Sequence, residues 1–221
     1  MKNNTIIIID YGSQYTQLIA RRVRELKVHS IILPYDFSLN DIQKYNVCGF
    51  ILSGGPSSVY ENDSPCLSKM IFDFNVPVLG ICYGFQLLIN CFNGLVESSG
   101  RAEYGRSNIQ FISESKLFSN VNKSTDVWMS HGDKVTKIPK EWIVTSTSEN
   151  NVVSSSEHKN SKFYGVQFHP EVIHTIEGEK IVANFLFNIC ETDPDWTVST
   201  FIDNQINNIR NIVGDKKVIC A

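Results

Sequence analysis

Four short runs of branched apolar residues punctuate the first third of the chain: Thr5 to Ile9, Ser30 to Leu33, Gly49 to Leu52 and Pro77 to Ile81. Strands buried on both faces have this pattern, because crossover helices cover each side of a parallel sheet. The stretches between them, Tyr15 to Leu26, Leu39 to Tyr45, Ser64 to Phe74 and Tyr83 to Phe92, read as helices. Strand alternating with helix predicts an α/β fold with a doubly wound, mostly parallel sheet. Ligands of such sheets bind beyond the carboxyl ends of the strands. Gly12-Ser13, Gly54-Gly55 and Cys82 all fall there.

From about Val96 to Gln167 the pattern changes to short strands separated by polar turns: Ser107 to Ile112, Asp126 to Met129, Trp142 to Ser146 and Asn151 to Ser155. They predict an antiparallel extension of the sheet. A last core helix, Ile176 to Ile189, would pack through Ile181, Val182, Phe185 and Leu186. Beyond Cys190 lies a polar stretch, then an amphipathic helix with Phe201, Ile202, Ile206, Ile209, Ile212 and Val213 on one side. The final residues, Val218 to Ala221, look like the opening of another buried strand. The expectation is one domain over 1–190, with 191–221 a linker helix leading into a truncated second domain.

A chain of 221 residues can bury a full α/β core. Its 20 Lys and Arg balance 23 Asp and Glu, so no basic field recommends a nucleic-acid partner. The compact cluster Arg21, Arg22 and Arg24 reads as a helix face turned to water or to a neighbouring domain. The N-terminal apolar stretch is shorter than the roughly 7–15 residues of a signal-peptide core. Nothing approaches the roughly 18 apolar residues of a membrane span. These features predict a cytoplasmic protein without a membrane partner. Six cysteines are then expected as thiols rather than bridges, and no Cys-x-x-Cys pair suggests zinc.

The sharpest signal is Gly80-Ile81-Cys82-Tyr83-Gly84 after the run Val76 to Leu79. Small residues two before and two after a nucleophile let a strand turn abruptly into a helix, and a thiol at a helix N-terminus ionises more readily. A free cysteine is otherwise a small buried hydrophobe. Downstream, Phe163 to Phe168 runs as a strand into His169-Pro170-Glu171. His169 could pair with the thiol and protonate a departing nitrogen, while Glu171 holds the imidazole tautomer, which together make a nucleophilic triad. A metal ligand or a core histidine is the plainer reading of His169. However, His169-x-Glu171-x-x-His174 lacks the metalloprotease spacing, and the Pro-Cys-x-x-Cys part of a zinc deaminase is missing.

A developing oxyanion needs fixed backbone donors, and the amides of Tyr83 and Gly55 are the candidates. A simple turn is the alternative for Gly54-Gly55, and no Lys-Ser or Lys-Thr pair follows to make it a phosphate loop. Trp128-Met129-Ser130-His131-Gly132-Asp133 reads as a loop lining a site. His29 and His158 carry no motif and read as surface residues.

Gly80 to Gly84 with Gln86, and Gly165 to Glu171, resemble the class I (triad) glutamine amidotransferases from Ile6 to Cys190. More narrowly, Asp10 to Tyr15, Leu52 to Val59 and Val127 to Val135 are similar to the glutaminase domains of the GMP synthases. The resemblance implies a flavodoxin-like three-layer fold. It also implies that Cys82 attacks the carboxamide of glutamine to form a γ-glutamyl thioester, with His169 and Glu171 completing the triad. Gly55 and Tyr83 would then be the oxyanion donors, and Gln86, Ser130, His131, Gly132 and Asp133 the substrate-binding positions, largely through main-chain groups. It implies no metal and no cofactor for this domain. ATP and magnesium would belong to a synthetase (ATP-pyrophosphatase) domain that aminates XMP to GMP, and a homodimer of the full enzyme is an arrangement it allows. Phe85 stands where methionine is common in the family, and Asn93 where many members have glycine. Other classes stay open: a thiol hydrolase or peptidase on a similar scaffold, and a flavodoxin-like or partner-gated module inert by itself.

Overall fold

The computed structural model describes residues 4–219. Nine strands form one sheet in the order β2-β1-β3-β4-β9-β8-β7-β5-β6. The parallel part comprises β1 (Asn4–Asp10), β2 (His29–Pro34), β3 (Asn46–Leu52), β4 (Val78–Ile81) and β9 (Phe163–Val166). The antiparallel part comprises β5 (Leu95–Phe111), β6 (Ser124–Lys137), β7 (Trp142–Ser148) and β8 (Val153–His158).

Alternate residues of β1 explain the layering. Ile6 and Ile8 face one core with Ile19, Ala20 and Val23 of α1 (Thr16–Glu25) and Ile181 and Val182 of α5 (Gly178–Ala183). Ile7 and Ile9 face the other, with Ile71 of α3 (Met70–Asp73) and Phe85, Leu88 and Ile89 of α4 (Tyr83–Cys91). A strand apolar on both faces therefore lies between two helical layers. Among the described residues no helix is long and apolar enough to cross a membrane.

Several expected elements are shorter or displaced. The helix expected over Leu39 to Tyr45 is α2, Leu39–Ile42, started by a capping box between Ser38 and Asp41 and closed by turns at Gln43 and Tyr45. The one expected over Ser64 to Phe74 shrinks to α3. Ser64 is held by hydrogen bonds to the Glu61 carbonyl in a preceding turn, and Pro65 cannot extend a helix interior. The helix expected from Ile176 begins at Gly178, because the Ile176 N–H donates to Asp126 O of β6, and it continues as a π-helical turn over Asn184–Ile189. The Asn184 amide there donates to the carbonyls of Leu117 and Ser119, at 3.0 and 2.8 Å.

The antiparallel part departs most from expectation: β5 and β6 form one long ribbon whose pairing shifts between Ser98 and Glu103. Strand β8 starts at Val153 rather than Asn151, which takes a left-handed turn with φ 57°. A last helix, α6, spans Val198–Val213 with Ile202, Ile206, Ile209 and Ile212 exposed, while the side chain of Phe201 lies outside the described residues. Val218 and Ile219 form no strand and are exposed; Cys220 and Ala221 lie outside the described residues.

The histidines read as surface residues are built into the fold. His29 Nδ1 meets the Thr5 hydroxyl at 3.0 Å and its ring lies beside Tyr45 and Trp196. His158 packs among Phe92, Trp142 and Phe163 and accepts the N–H groups of Asn160 and Ser161.

Candidate active site

Cys82 is the single residue between β4 and α4, at φ 51° and ψ −106°. A side chain in that left-handed region is strained, and the strain is held by bonds on both sides. The Cys82 N–H donates to Val166 O of β9 at 2.8 Å, and its carbonyl accepts from Gln86 N at 3.1 Å. The bracket of glycines is needed because the turn is so tight: a Cβ on Gly80 would stand 2.6 Å from the backbone of Gly84 and Phe85. Gly84 in turn donates its N–H to Ser53 O at 3.0 Å, fastening the loop after β3 to the start of α4. Gly54 of that loop lies against both His169 and Cys82, since a Cβ there would be 3.1 Å from His169 Cε1 and 3.7 Å from Cys82 Cβ.

His169 and Glu171, both buried, meet at 2.7 Å between Nδ1 and Oε1. A carboxylate only accepts, so Nδ1 carries the hydrogen and Nε2 is left for the sulfur. Burial opposes a charge on the ring, but the Glu171 carboxylate and the Cys82 thiol together hold the His169 pKa well above its ordinary 6.5.

The surroundings fix this pair in place. His169 N–H donates to Trp128 O at 3.0 Å, and the Thr175 hydroxyl donates to His169 O at 2.6 Å while accepting from Trp128 N. The Tyr15 ring lies edge-on to the imidazole. Arg22 does not simply face water, because its Nε donates to Glu171 O at 3.0 Å; Arg24 likewise donates to Ser30 O at 2.9 Å.

Around the sulfur, Cys82 Sγ donates to Ser130 O at 3.7 Å and accepts from Gln167 Nε2 at 3.6 Å. Gln86 is buried, and its Nε2 is occupied by Asp133 O at 3.1 Å and Gln167 Oε1 at 3.2 Å. Asp133 Oδ1 accepts from the Tyr60 hydroxyl at 2.9 Å. The His131 ring turns away from the sulfur toward Glu103, and Gly132 is exposed beside it. Gly55 and Tyr83 N–H groups have no acceptor among the described residues, and Tyr83 is the first residue of α4, where a helix leaves its N–H unpaired. Ser130–Asp133 are not the expected loop but the middle of β6, paired with β5, and they converge with Cys82, His169, Glu171, Gln86 and the Gly54-Gly55 loop. Sequence reasoning missed Gln167, Thr175, Tyr60 and Ser53. Gln167 alone carried a readable signal, two residues before His169 at the end of a buried strand.

The family model described as glutamine amidotransferase class-I matches residues 7–189. GMP synthase [glutamine-hydrolyzing] of Clostridium tetani is 48% identical over 221 residues, covering 100% of this chain and 43% of that protein. Its counterpart in Brachyspira hyodysenteriae is 45% identical over 221 residues, 99% of this chain and 43% of that protein. The chain thus spans less than half the length of the curated relatives it matches. The crystal structure of a candidate GMP synthase subunit from Thermoplasma acidophilum superposes with a TM-score of 0.74 at 26% identity, covering 93% of this chain and 99% of that one.

Proposed function

This chain belongs to the class I glutamine amidotransferases, and from that premise we propose that it is the glutaminase part of a GMP synthase. Residues 1–190 form the glutaminase domain, and 191–221 lead toward a synthetase domain. The observation that carries the reading is the strained Cys82 at the strand-to-helix turn, beside a buried His169–Glu171 pair at 2.7 Å.

His169 Nε2 takes the thiol proton, and the sulfur attacks the side-chain carboxamide carbon of glutamine. The oxygen that becomes negative is met by the N–H groups of Tyr83 and Gly55. The tetrahedral adduct collapses as the imidazolium gives its proton to the nitrogen, so ammonia leaves and a γ-glutamyl thioester remains. Water, deprotonated by the same imidazole, then cleaves the thioester and releases glutamate. Glu171 keeps Nδ1 protonated throughout and stabilises the imidazolium. Ser130 to Asp133 and Gln86 hold the amino-acid end of the substrate. No metal or cofactor enters these steps. The ammonia would be consumed by the synthetase domain, with ATP and magnesium, in converting XMP to GMP in the cytoplasm.

Glutamate release from glutamine tests the reading: Cys82→Ala should abolish it, and steady release by that variant would refute it. A second reading, that hydrolysis is gated by the synthetase, is favoured by a specific feature. Cys82 is only 5% exposed and its thiol is already engaged by Ser130 O and Gln167.

A further inference from the structure

Glu103 of β5 stands directly opposite His131 of β6, at the pair where the ribbon regains register after its shift. Both side chains are nearly buried, at 11% and 2% exposure. His131 Nδ1 lies 2.8 Å from Asp133 O, and a carbonyl only accepts, so Nδ1 carries a hydrogen. That leaves Nε2 facing Glu103 Oε2 at 3.2 Å without hydrogen-bond geometry, and among the described residues neither atom has a hydrogen-bond partner. The far oxygen of Glu103 is fixed by Asn150 Nδ2 at 2.8 Å and the Ser148 hydroxyl at 3.2 Å. The pair lines a cleft of about 480 Å³ that does not include Cys82 and whose other charged walls are Arg106, Lys134 and Glu149.

We propose that Glu103 is a positioning residue: acting through His131, it sets the β6 segment Ser130–Asp133 against Cys82 and Gln86. The proposal rests on the glutaminase reading of Cys82. This segment depends on the ring because the Asp133 carbonyl that receives Nδ1–H is the one that holds Gln86, and the Ser130 carbonyl one residue before the ring touches the sulfur.

One proton between Nε2 and Oε2 makes the contact attractive; with none, two lone pairs face each other. Burial lowers the His131 pKa below its ordinary 6.5 against the opposing pull of Glu103 and of Asp133 O, and the positive charge on His169 lowers it further. The contact should therefore loosen as the pH rises. A glutamine in place of Glu103 can donate to the neutral ring at any pH while its oxygen keeps Asn150 and Ser148.

Two measurements decide it. On the acid side of pH 6.5, where His131 takes up its second proton, Glu103→Ala should raise KM for glutamine about tenfold with kcat within about twofold. Glu103→Gln should keep KM at or below the native value, and should remove the rise of native KM that the lowered His131 pKa places on the acid side of pH 6.5. Unchanged KM in Glu103→Ala, or equal damage in both variants, overturns the proposal. Independently of any glutaminase activity, histidine ring 15N NMR should find neutral His131 protonated on Nδ1, and the amide shifts of residues 130–133 should move in Glu103→Ala but not in Glu103→Gln. A ring protonated on Nε2 alone, or amides indifferent to both changes, also overturns it.

Discussion

In the proposed mechanism Cys82 and His169 divide the work of one reactive centre. The cysteine is held in a conformation it would not choose, at φ 51°, by backbone bonds to β9 and α4. The histidine is held in a protonation state it would not otherwise favour when buried, by Glu171. A folded-state pKa above the unfolded one stabilises the fold fully below pH 6.5, and that contribution disappears as the pH rises through the raised folded value. Thermal melting should therefore fall on the alkaline side of neutrality. Glu171→Gln should flatten that slope and cost glutaminase activity at least 100-fold, on the order of losing a group that orients a general base. A melting curve with the same alkaline slope in both proteins would contradict the assigned role of the pair.

The elements that carry these residues were unequally legible. Glycines around a cysteine at the end of an apolar run announce the turn, and His-Pro-Glu announces its partner, because both depend on neighbours close in sequence. The contacts of Gln167 and Thr175 depend on where β6 lies, and no local pattern specifies that. The long β5–β6 ribbon was read only in fragments, since Glu97 to Arg106 is mostly polar and its pairing breaks register. Arg22 was misread for a related reason: its partner is a carbonyl 149 residues away. For the turn itself the expectation is strict. In Gly80→Ala the new methyl meets backbone rather than a side chain that could yield, so stability should drop by about 1–3 kcal/mol. Denaturant unfolding measures it, and a change below about 0.5 kcal/mol would mean the turn is looser than described.

At the scale of the whole molecule, the parallel half of the sheet holds the elbow and the antiparallel half holds the β6 segment that faces it. Cys82 sits at the seam between β4 and β9, with Ser130 of β6 against its sulfur. Because the sulfur is nearly covered, the proposed gating predicts that glutamine hydrolysis speeds up when a GMP synthetase domain charged with XMP and ATP is supplied. Steady-state glutamate release with and without that domain measures the coupling, and identical rates would exclude gating. The central claim, that one sulfur is the nucleophile toward glutamine, is tested most directly by treating the protein with 6-diazo-5-oxo-L-norleucine and mapping the adduct by peptide mass spectrometry. A single label on Cys82, prevented by excess glutamine, is expected. Label on Cys48, Cys66, Cys91 or Cys190 with Cys82 unmodified would contradict it.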